Sequence, residues 1–207
     1  MPRGSAETSK ARLAGIQYLR AVAATAVLAF HAASRAGISF WIGEAGVDLF
    51  FLLSGFLMIA ISDETSRPVS FLKDRIGRIV PTYWIATSVL LCAGLCGLFP
   101  QLAIAPVHVA MSYLFLPSAH PITGMAWPLL IPGWTLNYEM FFYALFALTM
   151  GAGTQMRQVI AVAAILFGLV ALGALVRPDA LAARFYTDPI LLEFAGGVMI
   201  GYWWKHG

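Results

Sequence analysis

The sequence predicts an all-α membrane protein, a bundle of about six transmembrane helices. The 207-residue chain is 60% hydrophobic and only 11% charged, whereas about 25% of the residues of a soluble domain are charged. Several apolar runs also approach or reach the roughly 17 to 25 residues that an α-helix needs to cross a bilayer. We therefore expect a single integral-membrane domain over residues 1–207, with the lipid bilayer as a partner.

The apolar runs define the spans, which are bounded by polar, interfacial or helix-breaking residues. In chain order they cover about 15–35, 44–62, 79–99, 134–150, 158–176 and 189–204. The first run also resembles a signal peptide, because small residues follow a short apolar core at Ala21–Phe30. Arg20 beside that core favours an uncleaved first span.

Two connections carry predictions of their own. The basic segment 63–78 is expected to be a loop, and the short apolar segment 102–116 a re-entrant or interfacial element that does not cross. With this layout and a cytoplasmic N-terminus, nine Lys and Arg residues lie inside and three lie outside, namely Arg35, Arg177 and Arg184. The positive-inside rule supports that orientation of a multi-pass protein.

Polar residues interrupt the first span at two positions. Arg20 and His31 are eleven residues apart, which is three helical turns plus roughly 20°. Both therefore lie on one stripe of the helix, and ionisable residues inside a membrane span indicate function. Counted from the span ends, His31 and Asp48 lie roughly 6 Å below the outer boundary.

The later spans add a carboxylate and a basic pair. Glu139 is expected roughly 8 Å below the outer boundary, in the same half of the membrane as His31 and Asp48. Arg75 and Arg78, three residues apart, would share a face at the inner surface, where guanidinium groups suit the phosphates of a cytosolic ligand. This arrangement suits an enzyme that takes an activated group from the cytoplasm and gives it to an acceptor outside.

The residue types suggest a role for each group. A neutral imidazole near pH 7 can take the proton from a hydroxyl as that hydroxyl attacks a thioester, so His31 is the candidate base. Asp48 or Glu139 would hold the second ring nitrogen of the histidine. The sequence leaves open which one does so, and Glu139 could instead bind an acceptor sugar.

Other functional classes fit parts of the pattern. A line of Arg, His, Asp and Glu across a membrane also suits a proton-coupled transporter, although no inverted repeat supports one. A non-catalytic membrane partner is a further alternative. No metal-ligand spacing is present, so no metal is expected, and a net charge of +3 is weak support for a nucleic-acid partner.

Five segments resemble one known family when they are taken in order. They are Arg20 and His31 separated by ten residues, GVDLFFLLSGFLM at 46–58, FLKDRIGRIVPTYW at 71–84, WTLNYEMFFY at 134–143 and LLEFAGGVMIG at 191–201. Together they resemble the signature of the membrane acyltransferase 3 family. IQYLRA and PGWTLNYEMFFY are most similar to its exopolysaccharide O-acetyltransferase branch.

The resemblance implies an acyltransferase in the inner membrane of a bacterium. It would move an acyl group, most simply acetyl, from cytosolic acyl-CoA (acetyl-CoA) to a hydroxyl of an exopolysaccharide or lipid-linked glycan. Arg20, Arg75 and Arg78 would bind the acyl-CoA, and Trp134 would stack on a sugar ring at the outer mouth. Family members have more spans, so the resemblance also implies that this shorter chain is the N-terminal part of the acyltransferase 3 fold.

Two further expectations concern packing and exposure. Gly197 and Gly201, four residues apart in the last span, are expected to form a small-residue face on which another helix packs closely. The histidines outside the spans, among them His108 and His120, are expected at the surface.

Overall fold

The computed structural model describes residues 3–38, 45–63 and 65–207, and within α1 it leaves the side chains of residues 3–14, 17, 31, 34 and 35 undescribed. The regular secondary structure in these ranges is helical. The helices are α1 (Arg3–Arg35), α2 (Ala45–Ile61), α3 (Pro68–Leu95), α4 (Pro106–Tyr113), α5 (Trp134–Thr149), α6 (Gln155–Val176), α7 (Leu181–Phe185) and α8 (Leu191–His206), with a 3₁₀ turn at Ile131–Gly133. The predicted all-α class is thus confirmed for the described residues.

Among the described residues, two helices, α3 and α6, are long and apolar enough to cross a membrane. The apolar parts of α1 and α2, Tyr18–Phe30 and Ala45–Ile61, are shorter. At 1.5 Å per residue, the sixteen residues of α5 and of α8 extend roughly 24 Å each, which is less than the hydrocarbon thickness of about 30 Å. The six-span count stays a prediction.

The chain divides into two compact units. Unit 1 comprises Met1–Ile61 and Glu193–Gly207, which contain α1, α2 and nearly all of α8. Unit 2 comprises Ser62–Leu192, which contain α3 to α7.

In unit 1, α1 packs closely on α2. Ile16 and Ala23, which lie seven residues apart on one face of α1, are both buried. Gly46 of α2 makes the close approach possible, because a Cβ at this position would lie only 2.7 Å from the carbonyl oxygen of Ala23. Ile16 joins Leu53 and Leu57 of α2 in a small hydrophobic cluster.

Glycines also mediate the contact between α2 and α8 in unit 1. A Cβ at Gly197 would collide with the backbone carbonyl of Leu52, and one at Gly201 would lie 2.8 Å from the carbonyl oxygen of Phe56. From the other side, a Cβ at Gly55 would collide with the carbonyl of Phe194. The predicted small-residue packing face of the last helix is therefore confirmed, and α2 is the helix that packs on it.

In unit 2, α3 and α5 are antiparallel, as their contacts at two levels show. Near the start of α5, Gly133 contacts the ring of Tyr83. Further along α5, Phe71 near the start of α3 packs against Tyr143 and Phe146, with ring centroids 6.2 Å and 5.2 Å apart. These contacts fix the register of the two helices.

The basic segment 63–78 is not a loop throughout, contrary to the sequence prediction. Asp63 accepts hydrogen bonds from the backbone and hydroxyl of Thr65 in a short turn, and α3 then begins at Pro68. Proline is well suited to the first turn of a helix, where its missing N–H would have no helical partner. Lys73, Asp74, Arg75 and Arg78 therefore lie on a helix, which continues through Pro81 to Leu95.

The first predicted span, 15–35, also begins too late, because α1 starts at Arg3. Other predicted boundaries agree more closely with the structure. The ends of α2 and α5 lie within one residue of the predicted spans, and α6 ends at the predicted residue. Within the predicted segment 102–116 only the eight residues of α4 are helical, about 12 Å of helix. A helix of this length is too short to cross a bilayer, and the re-entrant or interfacial placement of the segment stays a prediction.

Candidate functional site

Arg20 lies between the buried residues Ile16 and Ala23 of α1, on the side that packs on α2. Its side chain is half-buried, and the guanidinium carbon is 5.4 Å from the ring centroid of Phe50. This geometry is a cation–π contact, which holds the charged group against an aromatic face instead of leaving it in open solvent. Arg20 is thus held in place by the packing of unit 1.

The two other predicted site residues of unit 1 are His31 and Asp48. His31 belongs to α1, and its side chain lies outside the described residues. Asp48 lies in the first turn of α2, and its side chain is exposed. The pairing of His31 with a carboxylate stays a prediction.

Glu139 is in the interior of unit 2, near the middle of α5. It is 1% exposed, and its Oε2 accepts a hydrogen bond of 2.8 Å from the hydroxyl of Tyr143, one turn further along the helix. Burial of a carboxyl group is unfavourable unless hydrogen-bond donors compensate for the lost water. Tyr143 supplies such a donor, and the sequence prediction gave this residue no role.

Arg75 on the facing helix is connected to this pair through Phe71. Its guanidinium carbon is 5.8 Å from the ring centroid of Phe71, and Phe71 in turn packs on Tyr143. Arg75 is one turn after Phe71 in α3, and Glu139 is one turn before Tyr143 in α5. Because the helices are antiparallel, Arg75 and Glu139 lie at the same level along the helix pair.

This register corrects the predicted depths. The sequence pattern predicted Glu139 in the outer half of the membrane and Arg75 and Arg78 at the inner surface. That prediction placed the start of α3 near residue 79, whereas the helix starts at Pro68 and contains both arginines. The acidic and basic groups of unit 2 are therefore close in level and not a membrane apart.

Arg78 borders a cavity of about 400 Å³ between α3 and the start of α5. The cavity is also lined by Thr82, Tyr83 and Thr135, together with apolar side chains. The ring of Tyr83 is 3% exposed and packs against Gly133, where a side chain would collide with it. The cavity thus has a cationic side and an apolar interior, a combination that suits a ligand with both anionic and apolar parts.

Four buried polar atoms of α3 and α5 lack a hydrogen-bond partner among the described residues. They are Nε of Arg75, Oδ1 of Asn137 and the hydroxyl oxygens of Tyr83 and Thr87. Buried polar atoms are nearly always paired with protein, water or ligand, so such atoms indicate places where a ligand or water completes the site. Asn137 is 1% exposed and was not singled out in the sequence.

Trp134 begins α5 and is half-buried. Its ring meets that of Tyr138 edge to face, with centroids 5.9 Å apart. Tyr138 stacks on Phe185 from α7, with centroids 3.8 Å apart and ring planes inclined by 16°. Trp134 therefore lies at the edge of an aromatic cluster at the N-terminal end of α5.

His108 differs from the expectation of a surface histidine. It is 3% exposed on α4; Nδ1 is 3.0 Å from Oγ of Ser118, and Nε2 has no partner among the described residues. Burial, together with the nearby ring of His120, lowers its pKa below the ordinary value of 6.5. The position was misread because the loop after α4 folds back over the histidine, which no local sequence pattern reveals.

Chemically, unit 2 offers a hydrogen-bonded carboxyl group, a guanidinium at the same level and a nearby cavity. Unit 1 offers Arg20 on the α1–α2 contact and the helix that carries His31. Within the described residues no group of three or more His, Cys, Asp or Glu side chains is arranged to hold a metal ion. The groups present suit acid–base chemistry and anion binding.

Comparison with known proteins identifies the family. The sequence model of the acyltransferase domain of the acyltransferase 3 family matches residues 13–207. The chain belongs to the acyltransferase 3 family. The resemblance found in the five sequence segments is thereby confirmed over nearly the whole chain.

Two curated proteins are similar to this acyltransferase 3 chain. The exopolysaccharide production protein ExoZ of Rhizobium meliloti (strain 1021) is 46% identical over 179 residues, which cover 86% of this chain and 56% of ExoZ. Protein 2 in the picA locus of Rhizobium radiobacter is 31% identical over 166 residues, which cover 71% of this chain and 86% of that protein. The chain thus spans little more than half the length of ExoZ, and no solved structure matches it.

Proposed function

We propose that this chain acts in the O-acylation of an exopolysaccharide or lipid-linked glycan, as an inner-membrane acyltransferase with acyl-CoA, most simply acetyl-CoA, as the donor. It would form the N-terminal part of the fold, a bundle of about six spans with a cytoplasmic N-terminus. Membership of the acyltransferase 3 family supports the reaction class, and similarity to an exopolysaccharide production protein supports the acceptor class.

The structural observation that carries the proposal is the common level of Arg75 and Glu139 on the antiparallel pair α3–α5. Nε of Arg75 is buried without an acceptor among the residues that the structure describes, while Arg78 borders the adjacent cavity. In the proposed complex the guanidinium groups of Arg75 and Arg78 bind donor phosphates, and the pantetheine arm enters the cavity. Arg20 of unit 1 is proposed as a third phosphate ligand. The thioester, at the far end of that arm, would then lie in the cavity near Thr135, toward the N-terminal end of α5.

The proposed transfer is direct. The acceptor hydroxyl oxygen attacks the thioester carbonyl carbon, His31 takes the hydroxyl proton, and the carbon–sulfur bond breaks. The proton then passes from His31 to the departing sulfur, which leaves as the thiol of coenzyme A. Asp48 or Glu139 orients the imidazole, and the hydrogen bond from Tyr143 fixes the carboxyl group of Glu139 for this role or for binding the acceptor.

The donor site is tested by acetyl-CoA binding to the 207-residue chain in detergent. We expect Arg75→Ala with Arg78→Ala to weaken binding, because charge-assisted hydrogen bonds to phosphate are lost. Lys73→Ala is the matched control, since Lys73 is an exposed cation on the same helix. Equal binding by the double variant and the control would contradict the assignment, and absence of binding by the wild type would contradict the donor role of this chain.

The base is tested by His31→Ala in the same assay together with acyl transfer. We expect transfer to be lost while acetyl-CoA binding is retained, because the imidazole acts on the acceptor hydroxyl and not on the donor phosphates. Loss of both would make His31 a structural or donor-binding residue instead.

A further inference from the structure

Unit 2 contains a second cavity, at the C-terminal end of α6. It has a volume of about 470 Å³ and is formed by the last turn of α6 and the connection to α8. Four of its lining residues are charged, Arg177, Asp179, Arg184 and Asp188. The volume falls within the range of about 300–1,000 Å³ that is typical of small-molecule sites, and the donor proposal leaves this cavity unused.

The charges around this cavity are balanced but not paired with one another. Neither arginine forms an ion pair with either aspartate in the part of the chain that the structure describes. Oδ1 of Asp188 accepts the backbone N–H of Ile190 at 2.9 Å, which orients this carboxylate. The cavity therefore presents guanidinium donors and carboxylate acceptors to the same space.

Local backbone features hold this arrangement. Arg177 ends α6 in the left-handed region, with φ 48° and ψ 61°, a conformation that residues other than glycine rarely adopt. Its N–H donates to the carbonyl oxygen of Gly173 at 2.8 Å. At Gly173 itself a Cβ would lie 2.9 Å from the carbonyl oxygen of Thr187, so the missing side chain allows the connection to lie directly against α6.

The connection between α6 and α8, which lines this cavity, also packs against the aromatic cluster of α5. Phe185 stacks on Tyr138, which contacts Trp134 edge to face. Tyr186 packs on Phe141, with ring centroids 4.9 Å apart. The charged cavity thus lies at the same end of α5 as Trp134, the end that the distribution of Lys and Arg assigns to the outer side of the membrane.

We propose that this cavity binds a sugar unit of the acceptor glycan, with Arg177, Asp179, Arg184 and Asp188 as its polar ligands. A sugar hydroxyl is both a donor and an acceptor, so a hydroxyl-rich ring satisfies carboxylates and guanidinium groups together. A simple anion or cation would meet repulsion from one half of the charges. The inference rests on the proposed acylation of a glycan and adds to it a place where the acceptor is held.

The test is a binding measurement without acyl-CoA. The probe is a set of oligosaccharides prepared by depolymerising and chemically de-acylating the exopolysaccharide of the host strain, titrated against the detergent-solubilised chain by calorimetry. We expect Asp179→Asn with Arg184→Gln to weaken binding by about tenfold or more, since charge-assisted hydrogen bonds are lost. Both side chains are exposed, so the exchange leaves the packing unchanged.

The matched control is Asp74→Asn with Arg157→Gln. It removes the same two charge types from exposed positions on α3 and at the start of α6, away from the cavity, and we expect it to leave the affinity unchanged. Equal affinities of the cavity variant and the control, or no binding by the wild type, would overturn the proposal. A third outcome is that native mass spectra of the cavity variant lack bound phosphatidylethanolamine while its sugar affinity is unchanged. That outcome would assign the cavity to a zwitterionic lipid headgroup and would also overturn the proposal.

The same experiment separates this inference from the proposed function. Oligosaccharide binding that depends on Asp179 and Arg184, in a protein that transfers no acyl group, would support the sugar site and contradict the acyl transfer. If the cavity variant transfers acyl groups with an unchanged KM for the acceptor, that result would support the acyl transfer and contradict the sugar site.

Discussion

The hydroxyl of Tyr143 donates a hydrogen bond of 2.8 Å to Oε2 of Glu139 in the interior of unit 2. Both residues lie on α5, one turn apart, and both are buried. Through Phe71, the same tyrosine is linked to Arg75 on the neighbouring helix. One tyrosine thus connects the carboxyl group with the helix that carries the proposed donor-binding arginines.

We predict that Tyr143→Phe lowers the free energy of unfolding by about 1–3 kcal/mol, because a buried carboxyl oxygen loses its donor. Thermal or denaturant unfolding in detergent measures this change. Tyr18→Phe is the control, since Tyr18 is 74% exposed. An equal stability of both variants would show that the hydrogen bond to Glu139 contributes nothing to the fold.

Two adjacent glycines of α8 provide a test of the α2–α8 contact. A Cβ at Gly197 would collide with the carbonyl of Leu52, whereas one at Gly196 would meet nothing within 4 Å. We predict that Gly197→Ala lowers the free energy of unfolding by about 1–3 kcal/mol through overpacking. Gly196→Ala should be neutral or stabilising by up to about 1 kcal/mol, because alanine favours the helix. If both variants unfold alike, the close contact of these helices is wrong.

His108 makes the stability of unit 2 dependent on pH. Its pKa in the folded chain is lower than the ordinary 6.5, chiefly because the ring is buried and secondarily because of His120. The unfolded chain therefore binds more protons in the window between the lowered pKa and 6.5. Stability contributed by the neutral ring is fully present above this window and is lost as the pH falls through it.

We predict that the melting temperature falls on acidification from about pH 8 to about pH 5. The fall should be shallower in His108→Asn, which has no titrating ring at this position. His206→Asn, at an exposed position near the end of α8, should retain the wild-type slope. Identical slopes in all three proteins would remove His108 as the cause.

The topology is tested by cysteine labelling in a background where the two exposed native cysteines, Cys92 and Cys96, are replaced by serine. We predict that a cysteine at the exposed position Pro121 reacts with an impermeant reagent added outside intact cells. A cysteine at Gly151, also exposed and with nothing within 4 Å of the Cβ position, should react only after the membrane is opened. The opposite pattern would reverse the orientation derived from the positive-inside rule.

Helices that are flanked by helix-breaking residues were predictable from the sequence. The limits of α2 and α5 follow from uninterrupted apolar runs, with Pro132–Gly133 marking the start of α5. The glycines of α8 were also predicted correctly as a packing face, because small residues four apart leave room for only one kind of contact.

Two kinds of feature escaped the sequence analysis. The start of α3 was placed too late because charged residues between Pro68 and Arg78 were interpreted as a loop. A helix with charges on its exposed face has the same polar composition as such a loop, so composition did not distinguish the two. The burial of His108 depends on a loop distant in sequence, and the Glu139–Tyr143 bond on side-chain orientation. Neither the position of a distant loop nor the orientation of a side chain follows from amino-acid composition.

Pro81 makes α3 easier to bend near its middle than elsewhere along the helix. It has no N–H, so the carbonyl of Gly77 does not receive the helical hydrogen bond from residue 81, and Gly77 has nothing within 4 Å of its Cβ position to brace it. Less force is needed to bend the helix here than in an uninterrupted stretch. Arg75 lies on one side of Pro81, and Tyr83, which lines the cavity bordered by Arg78, lies on the other. A bend at Pro81 would therefore change the distance between the guanidinium group of Arg75 and the cavity that Tyr83 lines.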